Sequence, residues 1–403
     1  MPTLIADALV LTFTYGVSLR QWEESGMLGR EWALYRELLP YYHKLVLVTY
    51  GRAEDAEVLA RLLRRESDRA RISIICNNHN LAPAPYAASL PTRAQSELAG
   101  CATIVVKTNQ MSGGDIAVRI TEALRRHGKT AALIARGGYL WTRFVAHEHG
   151  PHSQLAIDAA AREKHLCTAA DAVVGTTDDM VADLAWRYGL DPTRTAVIPN
   201  YVITDGSPVN ACERERALLL YAGQLIPRKR VHILIEAVGQ LAAEDRAKLR
   251  LEIVGDGPER TNLEDLAKQL NAPVTFHSRV PHEQLLEKMR RCTMYVQASE
   301  LEGHPKTVLE AMAAGTAVVT ADAPGMDVVN HGVNGLRLSP EPRLFAHAIS
   351  ELLGDEEWRQ GLGTAAANTV RGAFGLPAIL QQEVTTHRRA LDSARKAKAR
   401  SAA

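Results

Sequence analysis

The sequence predicts an α/β protein built from two doubly wound, Rossmann-like domains that face a central cleft. Three observations carry this. Short apolar runs, the length of buried strands, alternate with stretches of helical periodicity. At 403 residues the chain is too long for one core and suits two domains. The alternation breaks at residues 200–215, around the turn-rich Thr204-Asp205-Gly206-Ser207-Pro208, and then restarts.

In the first half the strand candidates are Ala8–Thr14, Leu45–Thr49, Ile72–Cys76, Thr103–Lys107, Ala131–Ala135, Ala172–Thr176 and Thr195–Pro199. Helical patterns fall between them at Gly29–Leu39, Ala53–Arg65, Gly114–Arg126, Ser153–Ala169 and Asp178–Tyr188. Strands that alternate with helices imply a parallel sheet covered on both faces. After the break, strands are expected at Ala217–Ala222, Leu249–Val254, Val274–His277, Met294–Ala298 and Ala317–Thr320. The matching helices are Val231–Leu241, Glu259–Leu270, His282–Arg290, Pro305–Ala313, Arg343–Leu353 and Glu356–Thr369. A last helix, Pro377–Asp392, precedes the basic stretch Arg395–Arg400, which reads as a frayed, solvated end. Its alternative reading is a weak contact with anionic lipid headgroups. The expected domains are residues 1–203 and 204–375, with 376–403 as a helix and tail.

Composition narrows the function. The chain is 46% hydrophobic and 23% charged, with a formal net charge of +1. That balance argues against a nucleic-acid partner, which calls for a basic excess. No apolar run is long enough to span a bilayer. Met1–Leu11 has neither a basic leader region nor a cleavage-type site. Five scattered cysteines without a C-x-x-C pair suit free thiols in a reducing cytoplasm.

Three segments carry chemistry. The first is Glu302-Gly303-His304-Pro305-Lys306-Thr307-Val308-Leu309-Glu310, between two strand candidates. Proline suits a first helical position, so the helix is expected to start at Pro305. A helix N-terminus offers amides and a positive dipole end to a phosphate. A carboxylate in the turn and one in the helix would flank that phosphate and grip hydroxyls on either side. Sugar, phosphate and ribose in a row describe a nucleotide-sugar. Glu310 also stands in an apolar stretch, where a carboxylate needs a buried partner. The i,i+4 pairing with Lys306 has the weaker orientation.

The second is Gly223-Gln224-Leu225-Ile226-Pro227-Arg228-Lys229-Arg230. Three consecutive cations at a strand-to-helix turn oppose the helix dipole, and an anionic diphosphate would relieve that conflict. The third is Gly255-Asp256-Gly257-Pro258-Glu259-Arg260. It has Arg260 where a dinucleotide fingerprint has its third glycine, so it reads as a tight turn with Gly255 lining the cleft, not as a NAD site.

In this order and spacing the three segments resemble the nucleotide-sugar domain of family 4 glycosyltransferases, which have the GT-B fold. Val197–Val202 resembles the crossing into the linker, and Ala323-Pro324-Gly325 with Asn334-Gly335-Leu336 the end of the signature. The resemblance is strong over residues 195–340. It implies a first domain for the acceptor, a second for the donor, and a C-terminal helix returning to the first. It implies sugar transfer from a nucleoside diphosphate to a hydroxyl of a saccharide or lipid-linked acceptor. Anomeric configuration is retained, and neither a cofactor nor a bound metal is needed. By position, Glu302 would contact the donor sugar, Glu310 the ribose, and Lys229 with Arg228 the diphosphate. Backbone groups of Gly303, His304, Pro305, Lys306 and Thr307 would face sugar and phosphate. Gly223 and Gln224 would line the donor site, and Arg279 and Val280 would lie near the base. Surface-polysaccharide or glycolipid synthesis, in the cytoplasm or at the inner membrane face with peripheral contact, follows from the family alone. An epimerase, a phosphorylase or a non-catalytic sugar-nucleotide binder are the rivals.

This chain departs from the pattern at Gln224, where the family often has arginine, and at Arg230 and Pro305, where it often has glycine. Pro305 has no N–H to give. On the acceptor side Gly16, Gly26, Asn109, Arg136 and Tyr139 are the candidates, in loops expected to open on the cleft. His147, His149 and His152 lack an acidic or cysteine partner at metal-site spacing.

Overall fold

The computed structural model describes residues 2–63, 69–203 and 214–402. The linker cluster Thr204–Pro208, the helix end at Arg65 and Cys212 lie outside them. The described chain divides into two compact units. The first comprises residues 1–199 and 379–403, and the second residues 200–378.

The first unit is a seven-stranded sheet of β1 (Ala6–Thr12), β2 (Tyr42–Val48), β3 (Ile72–Ile75), β4 (Thr103–Thr108), β5 (Thr130–Arg136), β6 (Ala172–Gly175) and β7 (Thr195–Val197). Its order is β3-β2-β1-β4-β5-β6-β7, and each ladder is parallel. The second unit is a six-stranded sheet of β8 (Leu218–Ala222), β9 (Arg250–Val254), β10 (Val274–His277), β11 (Met294–Gln297), β12 (Ala317–Ala321) and β13 (Leu336–Leu338). Its order is β10-β9-β8-β11-β12-β13, again parallel. Each sheet reverses its winding once, at β1/β4 and at β8/β11. A doubly wound sheet binds ligands there, beyond the carboxyl ends of its strands.

Strands buried on both faces carry mainly apolar residues, and β8, Leu-Leu-Leu-Tyr-Ala, shows this most plainly. In β8, Leu219 and Tyr221 join one core while Leu218 and Leu220 join the other, as the two-residue pleat demands. Cys76, Cys167 and Cys292 are buried free thiols, and Cys101 is half-buried.

Several elements went unread in the sequence. The helix Pro83–Glu97 contains Pro91 in its interior and Pro83 in its first turn, which hides its periodicity. Leu19–Glu24, Trp141–His149 and Ala243–Lys248 are short, and β13 is a three-residue edge strand. The last helix is a correction. It runs from Leu376 to Ala402 and does not fray at the basic stretch. Within the first unit, Lys398 Nζ donates to the Gly128 carbonyl at 2.5 Å and Arg389 to the Thr195 carbonyl at 2.9 Å.

Candidate functional site

The winding reversal of the second unit gathers the predicted donor residues. Chain leaving β8 forms the turn Gly223–Arg230, and chain leaving β11 forms the loop before the helix Lys306–Ala313. The two meet at Glu302. Lys229 Nζ donates to Glu302 Oε1, and Arg228 Nη1 lies 3.8 Å from Glu302 Oε2. Arg228 also donates to the Leu301 carbonyl at 2.5 Å. Arg230 pairs with Glu300 at 2.6 Å. The conflict between three cations and the helix dipole is therefore met by two carboxylates of the neighbouring loop. Arg230 takes a left-handed conformation, φ +46°, as the residue before the helix Val231–Gly239. That explains why glycine suits this position elsewhere.

A polar floor lies beneath this cluster. Gln297, the last residue of β11 and fully buried, donates through Nε2 to Glu302 Oε1 at 2.9 Å and to Ser299 Oγ at 3.1 Å. The Tyr295 hydroxyl is 2.8 Å from Thr307 Oγ1, 3.1 Å from the Ala222 carbonyl and 3.1 Å from Gln297 Oε1. Burial pushes the Tyr295 phenol far up, so it stays protonated. The chain of contacts fixes Glu302 and Thr307 relative to one another. Sequence reasoning missed Tyr295 and Gln297. Their signal was a tyrosine and a glutamine inside an otherwise apolar strand.

Glu310 is buried and its Oε1 is 2.8 Å from His282 Nε2, on the helix His282–Arg291. A side chain of another helix thus supplies a partner of the kind this carboxylate demands. His282 is a third residue the sequence did not single out. Pro305 needs correction too. It is the residue before the helix, with φ −75° and ψ 97°, and the helix begins at Lys306. The hydrogen-bond ladder opens with the Leu309 amide donating to Pro305. Pro305 therefore removes one of the four terminal amides and leaves those of Lys306, Thr307 and Val308. No side chain caps this end, the condition under which a helix N-terminus accepts an anion. His304 is held from within the unit. The Asn200 amide donates to its Nδ1 at 3.0 Å, and Asn200 Nδ2 donates to its carbonyl at 2.8 Å.

The glycines of these turns permit close packing. A Cβ on Gly255 would stand 1.9 Å from the Gly223 carbonyl oxygen, and one on Gly257 2.2 Å from that of Leu225. These two glycines let the β9 turn pack against the β8 turn. Gly223 itself leaves room for the Tyr221 hydroxyl, which donates to the Gln224 carbonyl at 3.1 Å. Gly325 presses on the Glu302 and Gly303 carbonyls, and the Glu302 amide donates to Pro324. The Ala323-Pro324-Gly325 signature is thereby a brace for the Glu302 loop. Arg279 is exposed, and Val280 packs against the core.

In the first unit the candidates separate. Arg136 and Lys107 turn inward within the first unit. Lys107 is fully buried and donates to Glu383 Oε1 at 2.6 Å, with Arg136 Nε 3.9 Å from the same oxygen. His387 Nε2 lies 3.1 Å from Glu383 Oε2, and its Nδ1 is 2.7 Å from the Tyr42 hydroxyl. Burial alone would raise the Glu383 carboxyl, but Lys107, His387 and Arg136 outweigh it and hold it far below the usual range. Burial lowers His387. Gly26 ends the helix Leu19–Glu24 in a left-handed conformation, φ +73°, a helix-stop role. Gly16, φ +76°, and Asn109, whose amide donates to the Thr12 carbonyl, sit beyond the ends of β1 and β4 at the winding reversal. Tyr139 packs its ring on Phe144. Among the described residues no three His, Cys, Asp or Glu side chains cluster as a metal site.

Residues 205–369 match the family described as Glycosyl transferases group 1, and residues 124–205 match Glycosyltransferase Family 4. A D-inositol 3-phosphate glycosyltransferase of Frankia alni is 29% identical over 254 residues, covering 58% of this chain and 62% of that protein. The namesake in Geodermatophilus obscurus is 32% identical over 234 residues, covering 53% and 51%. The chain thus spans about half to three-fifths of the length of these curated relatives. The crystal structure of Anabaena HepE in complex with UDP-glucose superimposes with a TM-score of 0.68 at 20% identity, covering 93% of this chain and 97% of that one. Together with the two parallel sheets and the ordered motifs, these matches identify the chain as a family 4 glycosyltransferase with the GT-B fold.

Proposed function

We propose that the chain transfers a sugar from a nucleoside diphosphate sugar to a hydroxyl acceptor with retention of configuration. The observation that carries the reading is the convergence of Arg228, Lys229 and Glu302 at the β8/β11 reversal, beside an uncapped helix N-terminus. In this reading the diphosphate lies over the Lys306–Ala313 helix and takes Lys229 from Glu302. That frees the carboxylate for the donor sugar hydroxyls. The cations stabilise the charge that develops on the leaving diphosphate. The acceptor hydroxyl attacks from the leaving-group face, and a departing phosphate oxygen takes its proton. Glu310, oriented by His282, holds the ribose. No cofactor is required. The UDP-glucose bound by HepE makes UDP-sugars the first donors to try. Work in surface-polysaccharide or glycolipid assembly, at the cytoplasmic face of a membrane, fits the reading. Among the described residues no helix is long and apolar enough to cross one.

A donor screen tests this, with released nucleoside diphosphate and acceptor mass read by mass spectrometry. The expected outcome is diphosphate release that depends on acceptor and adds one sugar mass. Conversion of donor with no acceptor present indicates an epimerase, and absence of binding to any nucleoside diphosphate overturns the reading. Sedimentation with anionic vesicles tests the membrane contact, which should weaken when Arg395, Lys396, Lys398 and Arg400 are replaced.

A further inference from the structure

The two oxygens of the Glu302 carboxylate are held unequally. Oε1 takes two donors, Lys229 Nζ and Gln297 Nε2, the second at 2.9 Å. Oε2 lies 3.8 Å from Arg228 Nη1, beyond hydrogen-bond distance. In the proposed reaction Lys229 moves to the diphosphate. The last torsion of a glutamate side chain is broad, so a carboxylate that lost its lysine would be free to turn. Gln297 stays on Oε1 and prevents this. Oε2 is then the oxygen turned to the sugar.

Gln297 is built to stay. It ends β11, a strand paired on both sides with β8 and β12, and it is fully buried. A carboxylate only accepts, so the amide must turn its NH2 group toward Glu302. That group also meets Ser299 Oγ at 3.1 Å. The amide oxygen is thereby turned to the other side, where it takes the Tyr295 hydroxyl at 3.1 Å and lies 3.4 Å from Thr307 Oγ1. A flipped amide would set a second acceptor against Glu302, a costly arrangement in a buried place. Thr307 stands in the first turn of the uncapped helix Lys306–Ala313, at the phosphate end of the site. One buried amide therefore joins the phosphate end to the sugar end.

We propose that Gln297 is a positioning residue for the donor. It keeps Glu302 Oε1 engaged while Lys229 changes partners, and so couples recognition of the sugar to binding of the diphosphate. The inference rests on the proposed donor reading and adds to it the residue that makes the exchange possible. A bare diphosphate needs only the Thr307 end, whereas a nucleotide-sugar needs both.

Calorimetry on the full chain tests it. The probes are UDP, GDP and ADP, each set against its sugar forms: UDP-glucose, UDP-galactose, GDP-mannose and ADP-glucose. The quantity read is the affinity of a nucleotide-sugar divided by that of its own diphosphate. For at least one pair, Gln297→Leu should lower this ratio about tenfold and leave the diphosphate within about threefold. Tyr295→Phe, which removes one donor to the amide oxygen, should lower the ratio about twofold to threefold.

Gln297→Glu separates positioning from packing, because it keeps size and shape. The charged and titratable groups around position 297 are Glu302, Lys229, Arg228 and Tyr295, with Tyr221 and Glu310 farther out. Burial and the Glu302 charge both favour a protonated carboxyl at 297, so the pair shares one proton. Protonated, it offers an O–H to Glu302 Oε1 in place of the amide N–H. Relative to the parent at the same pH, the ratio for this variant should be low at about pH 8.5 and recover toward about pH 5.5. A residue that only filled space would show neither the split nor the recovery.

If no diphosphate binds, the donor reading itself fails. If a diphosphate binds while Gln297→Leu changes no ratio, Gln297 has no positioning role and the donor reading stands. Equal losses for diphosphate and nucleotide-sugar in a folded variant overturn the inference too. So does a Gln297→Glu ratio that is flat with pH, which decides the matter if the leucine variant does not fold.

Discussion

In the first unit the cations at the ends of β4 and β5, Lys107 and Arg136, turn inward onto one buried carboxylate, Glu383. In the second, the cations that follow β8, Arg228 and Lys229, gather beyond the strand ends on Glu302. Both sheets share a winding plan and a reversal. One spends its charges on holding a helix, the other keeps them near solvent where a ligand can compete for them. The difference is one of burial. The Lys107–Glu383 pair is sealed, so its loss leaves a bare charge in the core. The Lys229–Glu302 pair keeps 15% and 10% exposure and can exchange partners.

The comparison breaks most sharply at Glu383. Replacing it with alanine leaves Lys107 buried and unpaired, and should cost about 3–5 kcal/mol of stability. Chemical denaturation of the full chain should show this, with UDP affinity of the folded protein unchanged. The same network sets an acid limit. Glu383 and His387 both lie below their ordinary values of 4.5 and 6.5 in the folded chain. The unfolded chain therefore takes up protons first as pH falls. The share of stability that these two groups supply should be present well above pH 6.5 and decline as pH drops through the histidine and then the carboxylate range. His387→Phe should remove the upper part of that decline in melting curves.

Lys229→Ala should lower diphosphate release about 10²–10³-fold, the scale of a lost transition-state donor. It should leave the denaturation midpoint near that of the parent. If it instead unfolds the chain as Glu383→Ala does, the contrast between the two units is wrong. Glu310→Ala should weaken UDP by about 1.5–3 kcal/mol, the range of a hydrogen bond to a charged group. It should leave 2′,3′-dideoxy-UDP unaffected, and His282→Ala should follow in the same direction with a smaller loss. Equal losses for both nucleotides would remove the ribose role. The smallest effect belongs to Arg230→Gly. Relief of its left-handed conformation and loss of the Glu300 pair, each about 1 kcal/mol, nearly cancel in melting temperature.

The sheets were legible because parallel strands buried on both faces carry unbroken apolar runs, as Leu218–Ala222 does. The charged cluster around Glu302 was legible because its charges are local in sequence and sit at strand ends. What escaped was long-range. The pairing of Lys107 with Glu383 spans 276 positions, and nothing near Lys107 signals it. Glu310, in its apolar stretch, signalled a buried partner, but nothing around His282 marks it as that partner. The helix Pro83–Glu97 was hidden by its prolines. The close neighbours that the glycines at 255 and 257 accommodate are backbone of another turn, which no local pattern announces.

The sealed pair also fixes an order of events during synthesis. Lys107 and Arg136 leave the ribosome long before Glu383, with the whole second unit between them. Until residues 383–387 appear, the first unit holds two cations at the place where its core should close. Domains fold as units while the chain emerges, usually the N-terminal one first. Here the N-terminal sheet is the one that must wait. The second unit, with Glu302 and Lys229 both inside it, can complete itself earlier. A nascent chain arrested before residue 383 should bind UDP while its first 199 residues remain open to protease.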